Sequence, residues 1–125
     1  MDDDALTRRV LACCYAVHRE LGTGYPETTY QHALTRELER ASLPFKREEP
    51  ISVVYHGEEI DLLHADFVVE QMLLEVVAKS SLEKQDVAHA FALLRASGLA
   101  RGLLVNFGVE ELQTKRLAAV PRPKA

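Results

Sequence analysis

The sequence predicts an α/β fold, a central mixed β-sheet flanked by helices. Three observations predict it. Two stretches near the start carry apolar residues at three- and four-residue steps, the period of an amphipathic helix. After Pro44 the pattern changes to alternating and β-branched residues. Farther on, two short apolar runs at 72–78 and 102–107 are separated by one more helical stretch, as parallel strands joined through a helix require. The chain has 125 residues, the length of one domain. A single domain is expected over residues 1–120, with a loose tail at 121–125.

Ala5 to Leu21 reads as the first helix, with Leu6, Val10, Cys13, Val17 and Leu21 on its buried stripe. Gly22-Thr23-Gly24 ends it, and Pro26 suits the first turn of the next helix. That second helix spans Thr28 to Ala41, with Tyr30, Ala33, Leu34 and Leu38 on one side. Phe45–Tyr55 and Glu58–Val69 are strand regions, and the short turn at His56-Gly57 makes them antiparallel. Met72–Ala78 is an apolar run interrupted by one acid, Glu75, and suits a strand buried on both faces. Ser80 and Ser81 offer cap hydroxyls to a third helix over Glu83–Ala96, whose inward residues are Val87, Ala90, Phe91 and Leu94. Gly102–Phe107 is a buried strand parallel to the preceding one, and Leu112–Val120 is a last edge strand. That open edge makes a homodimer an expectation.

Composition narrows the function classes. Hydrophobic residues make up 47% and charged residues 27%, the balance of a globular chain. The net charge of −4 and a pI near 5.7 argue against a dedicated nucleic-acid coat. They do not exclude a nuclease, whose metal-binding carboxylates count against its basic residues. No apolar run is long enough for a membrane helix, and the acidic start Met1-Asp2-Asp3-Asp4 is unlike a signal peptide. Cys13 and Cys14 are adjacent, without the spacing of a zinc site, and read as reduced packing residues. A cytoplasmic protein without membrane partners is the simplest expectation.

The chemistry-bearing residues are acids. Asp66 and Glu75 fall on neighbouring strands joined by a short turn near Glu70-Gln71, so their carboxyl groups can lie side by side. Like charges at that range raise each other's pKa. A buried, ionised Glu75 also needs a partner. A hard divalent cation such as Mg²⁺ meets both needs, because it takes oxygen ligands and keeps several waters. A plain hydrogen-bonded or salt-bridged pair is the alternative on residue types alone. His64 lies two residues from Asp66, as a surface histidine or a neighbour of the site. Tyr25 and Tyr30 flank Glu27, either packing on the sheet or orienting a site carboxylate through a phenol. Lys46-Arg47, Lys79, Lys84, Lys115, Arg116, Arg122 and Lys124 could grip phosphates or form an ordinary solvated surface.

Gly24-Tyr25-Pro26-Glu27-Thr28-Thr29-Tyr30 resembles the signature of the bacterial GxxExxY family. His64-Ala65-Asp66, Leu74-Glu75-Val76 and Leu104-Val105-Asn106-Phe107-Gly108 resemble its later strands, and the likeness runs over most of the chain. That family is grouped with the PD-(D/E)XK nuclease-like superfamily. The resemblance implies a restriction-endonuclease-like core with Mg²⁺ (or Mn²⁺) held by Asp66 and Glu75, Glu27 belonging to the same metal site, and nucleic acid as partner. The superfamily's strand motif is acid, any residue, lysine, and here the lysine position holds Val77. Lys79 is a candidate substitute on the same strand face as Glu75, about 13 Å along it at ~3.3 Å per residue. In the next helix His89 stands at the family's glutamine and Leu93 at its tyrosine. His89 can donate a hydrogen bond to phosphate or carry a proton. Catalytic candidates are therefore Asp66, Glu75, Lys79 and His89, and metal candidates Glu27, Asp66 and Glu75. Two functions follow as expectations: a Mg²⁺-dependent phosphodiesterase with a degenerate site, or an inactive relative that binds nucleic acid or a protein.

Overall fold

Helix α1 (Asp3–Leu21) begins two residues earlier than the predicted start at Ala5, because the Asp2 carboxylate caps it by accepting the Ala5 N–H at 2.7 Å. It ends at Gly22, whose φ of 67° an L side chain rarely adopts. Helix α2 (Glu27–Arg40) follows, with Pro26 at the cap position rather than inside the first turn. The strands are β1 (Phe45–Tyr55), β2 (Glu58–Val69), β3 (Met72–Val77), β4 (Arg101–Asn106) and β5 (Gln113–Ala118), and α3 (Lys84–Ser97) joins β3 to β4. The computed structural model describes residues 1–119. The expected tail at 121–125 and Val120 lie outside the described residues. Among the described residues no helix is long and apolar enough to cross a membrane.

The sheet runs β1-β2-β3-β4-β5, and only β3 and β4 are parallel. The crossover through α3 makes them so, as the sequence pattern predicts. Helices α1 and α2 cover one face with Val10, Cys14, Tyr30 and Leu34 against Phe67, Leu74 and Phe107. Helix α3 covers the other with Ala90, Leu93 and Leu94 against Leu73 and Leu104. β3 is thus buried from both sides, with Leu73 and Leu74 pointing to opposite layers. Leu93 belongs to this core, as do the two free cysteines. The expected serine cap of α3 is not the one used. Glu83 caps it, with Glu83 and Asp86 forming a reciprocal capping box.

Two irregularities shape the sheet. Ala65 packs in the layer under α3, yet Phe67, two residues on, packs in the layer under α1 and α2. Strict alternation would put both on one face. The change of face falls at Asp66. The pairs Arg47↔Phe67 and Glu49↔Ala65 leave Glu48 opposite it, with a φ of 49°. The second irregularity is a fork. β2 pairs with β3 only from Val69↔Met72 to Phe67↔Leu74. Beyond that, β3 stays with β4 up to Val77↔Asn106, while β2 departs with β1 as a two-stranded arm. The outer arm exposes Val54, Tyr55, Ile60 and Leu62.

Candidate active site

Asp66 and Glu75 stand at the fork. Where the ladder between β2 and β3 stops, the Asp66 N–H donates to Glu75 Oε2 at 2.7 Å, and the Val76 N–H donates to Asp66 Oδ2 at 2.9 Å. Each carboxyl group therefore takes the place of a missing backbone rung. This satisfies two N–H groups that would otherwise be stranded at a partly buried sheet break. It also fixes both side chains against the backbone of the opposite strand. One oxygen of each carboxyl remains outside these bonds.

Helix α2 brings the third acid. Gly24 has a φ of 105°, and the chain turns there into Pro26 and then Glu27, the first residue of α2. Tyr30 anchors this entry. It is fully buried, its ring stacks on Phe107 with centroids 4.9 Å apart, and its hydroxyl donates to the Gly22 carbonyl at 2.7 Å. The phenol thus braces the glycine turn and is not bonded to a site carboxylate. Tyr25 packs edge-on against Tyr30 and is half exposed.

Glu27, Asp66 and Glu75 line one open cavity of about 650 Å³, together with His64, Val77, Lys79 and His89. The structure thus gathers the catalytic and metal candidates around one space, whereas Tyr30, Lys46, Arg47, Lys84, Lys115 and Arg116 do not line it. Two polar residues that the sequence reading did not single out, Gln85 and Asp86, line it as well. Gln85 and His89 are one turn apart on α3 and face the cavity together. Asp86 left little local signal, because the usual capping-box pattern runs from Ser or Thr to Glu or Gln and here it runs from Glu83 to Asp86.

Lys79 differs from its expected geometry. β3 ends at Val77, so Lys79 is beyond the strand and strand alternation does not place it. Its backbone is bonded to the Asn106 side chain. Its ammonium donates to both oxygens of Asp86, at 3.0 and 3.1 Å, and lies 3.6 Å from Glu83. Arg47, noted in the sequence only as part of a basic cluster, supports the acids from behind. Its guanidinium donates to Gln31 Oε1 at 3.1 Å, Thr35 Oγ1 at 3.3 Å and the Asp66 carbonyl at 3.4 Å. It also lies 4.6 Å from the centre of the Phe67 ring. One side chain thereby ties α2, which carries Glu27, to the strand that carries Asp66.

The electrostatics follow from this crowding. Burial, and next the charge of Asp66, pushes the Glu75 carboxyl up to about 8. Burial also raises Asp66 and the charge of Glu48 adds to the rise, against the pull of the Val76 N–H. Glu27 is raised by burial and by Asp66 and Asp86, with Lys79 acting in the opposite sense. Asp86 is lowered by the Glu83 N–H and by Lys79. Among the described residues no three His, Cys, Asp or Glu side chains are drawn together tightly enough to hold a metal ion as they stand. The donor chemistry nonetheless fits a hard divalent cation. Asp66 and Glu75 repel each other in a half-buried cavity, each with an oxygen outside the backbone bonds, and Mg²⁺ takes one or two carboxylates and keeps waters for its other positions.

A mixed five-stranded sheet with a carboxylate pair at its fork, a third acid on a helix start and a lysine at the rim is a nuclease-like arrangement. Comparison with known proteins agrees. The family model of the PD-(D/E)XK nuclease superfamily matches residues 4–117. No curated protein and no solved structure matches. The match takes in the fork, all three acids and both helices that face the cavity, and the chain belongs to the PD-(D/E)XK nuclease superfamily.

Proposed function

We propose that the protein is a GxxExxY-type member of its superfamily and acts as a divalent-metal-dependent phosphodiesterase on nucleic acid, with an altered catalytic site. The observation that carries this reading is the carboxylate pair at the fork. Asp66 and Glu75 are each fixed by the other strand's N–H, and each has an oxygen outside those bonds. Asp66 and Glu75 would hold Mg²⁺ or Mn²⁺, with Glu27 beside them. The cation would supply Lewis-acid activation of water and offset the charge that develops on the phosphate. The chain's own residues do the rest. The Asp66 and Val76 N–H groups keep the two carboxylates aimed. Val77 at the position of the motif lysine leaves no cation there, and Lys79 at the rim supplies the positive charge. His89 and Gln85 on α3 offer hydrogen bonds to a phosphate entering the cavity. A cytoplasmic setting suits the two buried free thiols. A homodimer across the outer edge of β5 belongs to the same reading, and sedimentation equilibrium tests it.

Titration calorimetry with Mn²⁺ on wild type and Asp66→Ala, paired with cleavage assays on labelled single-stranded and duplex DNA, tests the reading. Binding and cleavage that are both lost in the variant support it. Absence of Mn²⁺ binding by wild type refutes it. One observation favours the second reading, an inactive relative that binds nucleic acid or a protein partner. The Lys79 ammonium is engaged by Asp86 and Glu83 rather than directed at Glu75. Metal binding and DNA binding without cleavage would favour that alternative.

A further inference from the structure

The exit of β4 grips one peptide from several sides. Asn106 is fully buried, and its amide is used completely. Its Oδ1 accepts the Lys79 N–H at 2.9 Å and the Gly108 N–H at 3.0 Å. Its Nδ2 donates to the Lys79 carbonyl at 3.0 Å and to Gln113 Oε1 at 2.9 Å. The Phe107 N–H donates to the Val77 carbonyl at 2.9 Å, just upstream. Gly108 then passes so close to Lys79 that an added Cβ would lie 2.3 Å from its carbonyl oxygen and 2.4 Å from its nitrogen. Only glycine permits that approach.

The same residue is held at its far end. The Lys79 ammonium is bound by both oxygens of Asp86, and Asp86 is itself fixed by the Glu83 N–H at 2.9 Å. A lysine has a long flexible stem and rarely keeps one geometry unaided. Here its backbone is fixed by the exit of β4 and its charged head by a capped helix start. Neither hold is a ladder bond of the sheet, the last of which runs from the Phe107 N–H to the Val77 carbonyl. The cation so placed lines the cavity that holds Glu27, Asp66 and Glu75. Its field reaches Glu27, whose carboxyl it lowers against the other influences.

We propose that Asn106 and Gly108 are positioning residues that hold Lys79 at the cavity rim as the cation a phosphate would meet in place of a lysine at position 77, with Asp86 and Glu83 tethering its ammonium there until substrate enters. This rests on the nuclease reading above. The function of the clamp is precision: a charge that neutralises a developing phosphate charge is effective only if its position is set before the reaction.

The test measures kcat and KM for Mn²⁺-dependent cleavage of labelled single-stranded and duplex DNA, with Mn²⁺ affinity by calorimetry. The variants are Lys79→Ala, Gly108→Ala, Asp86→Asn and the double variant Gly108→Ala with Val77→Lys. Gly108→Ala retains Lys79 and its charge, so a plain loss of charge cannot account for its effect. It should lower kcat about 10- to 100-fold, with KM and Mn²⁺ affinity within roughly twofold of wild type. The added lysine at 77 should restore most of that loss. Asp86→Asn should lower kcat by roughly tenfold. Wild-type kcat in Gly108→Ala, loss of Mn²⁺ affinity in step with kcat, or no recovery with Val77→Lys would overturn the proposal. If Gly108→Ala does not fold, Asp86→Asn decides, and an unchanged or higher kcat in that variant overturns it. Cleavage by wild type that these variants leave intact sinks this inference alone. Absence of cleavage by wild type sinks the nuclease reading and this inference with it.

Discussion

Replacing Glu75 by glutamine should make the protein more stable at alkaline pH. Glutamine has the same shape, its carbonyl oxygen can still accept the Asp66 N–H, and its amide can donate to the Asp66 carboxylate. What disappears is a carboxyl whose folded pKa is raised from 4.5 to about 8 by burial and by Asp66. The sign follows from proton counting. Between those two values the folded protein retains a proton that the unfolded chain has lost, so wild-type stability falls as pH rises through that window and levels off above it. At ~1.4 kcal/mol per pKa unit the full window corresponds to an upper limit of roughly 5 kcal/mol. The hydrogen bond from Glu75 lowers the Asp66 carboxyl and offsets part of that cost, so about 2–4 kcal/mol is expected at pH 9. Urea unfolding at pH 5 and pH 9 measures it. The variant should nearly match wild type at the lower pH and exceed it at the higher, while losing Mn²⁺ binding. Equal stabilities at pH 9 would refute the strained carboxylate pair as the physical basis of the site.

Three further outcomes follow from the packing. Tyr30→Phe retains the stack on Phe107 but removes the bond to the Gly22 carbonyl, so thermal unfolding should show a loss of about 1 kcal/mol. Arg47→Lys retains the charge but not the fork that spans Gln31, Thr35 and the Asp66 carbonyl, and should lose roughly 1–2 kcal/mol in urea unfolding. A lysine variant as stable as wild type would show that the arginine is only a solvated charge. Cys13 and Cys14 are buried, and burial raises both thiols above their usual range. Iodoacetamide should therefore label them slowly in the native protein and rapidly in urea, and fast native labelling would contradict the burial of α1's inner face.

The parts legible in the sequence were those set by local pattern. The period change after Pro44 located the sheet, and the helix between two apolar runs fixed the parallel pair β3 and β4. Two acids nine residues apart across a tight turn were placed on adjacent strands, and the structure has them there. That each would cap the other's backbone was not legible, because it depends on where the β2–β3 ladder stops and on the face change opposite Glu48. The serines expected to cap α3 lost to Glu83, whose reciprocal bond with Asp86 satisfies two N–H groups together. Lys79 was expected on a strand face. The strand ends two residues earlier because Asn106 intercepts the chain, and a side chain on another strand leaves no mark in the local pattern. The phenol of Tyr30 was left between two roles, and the fold assigns it to the glycine turn.

The fork also divides the molecule into parts of unequal rigidity. β4 and the first half of β3 are flanked by strands on both sides and by helices on both faces, so their amides should exchange only when the domain opens as a whole. The outer halves of β1 and β2 have each other and, near their tip, little else, and an isolated two-stranded ribbon is only marginally stable in water. That arm can therefore fray and re-form while the rest of the domain stays folded. Fraying from the tip meets Ile51 and Leu63, packed against α3, and then Asp66, whose carboxyl and N–H are both committed to β3. The pair of acids thus acts as a rivet at the root of the ribbon, holding the carboxylates in place while its exposed tip opens and closes.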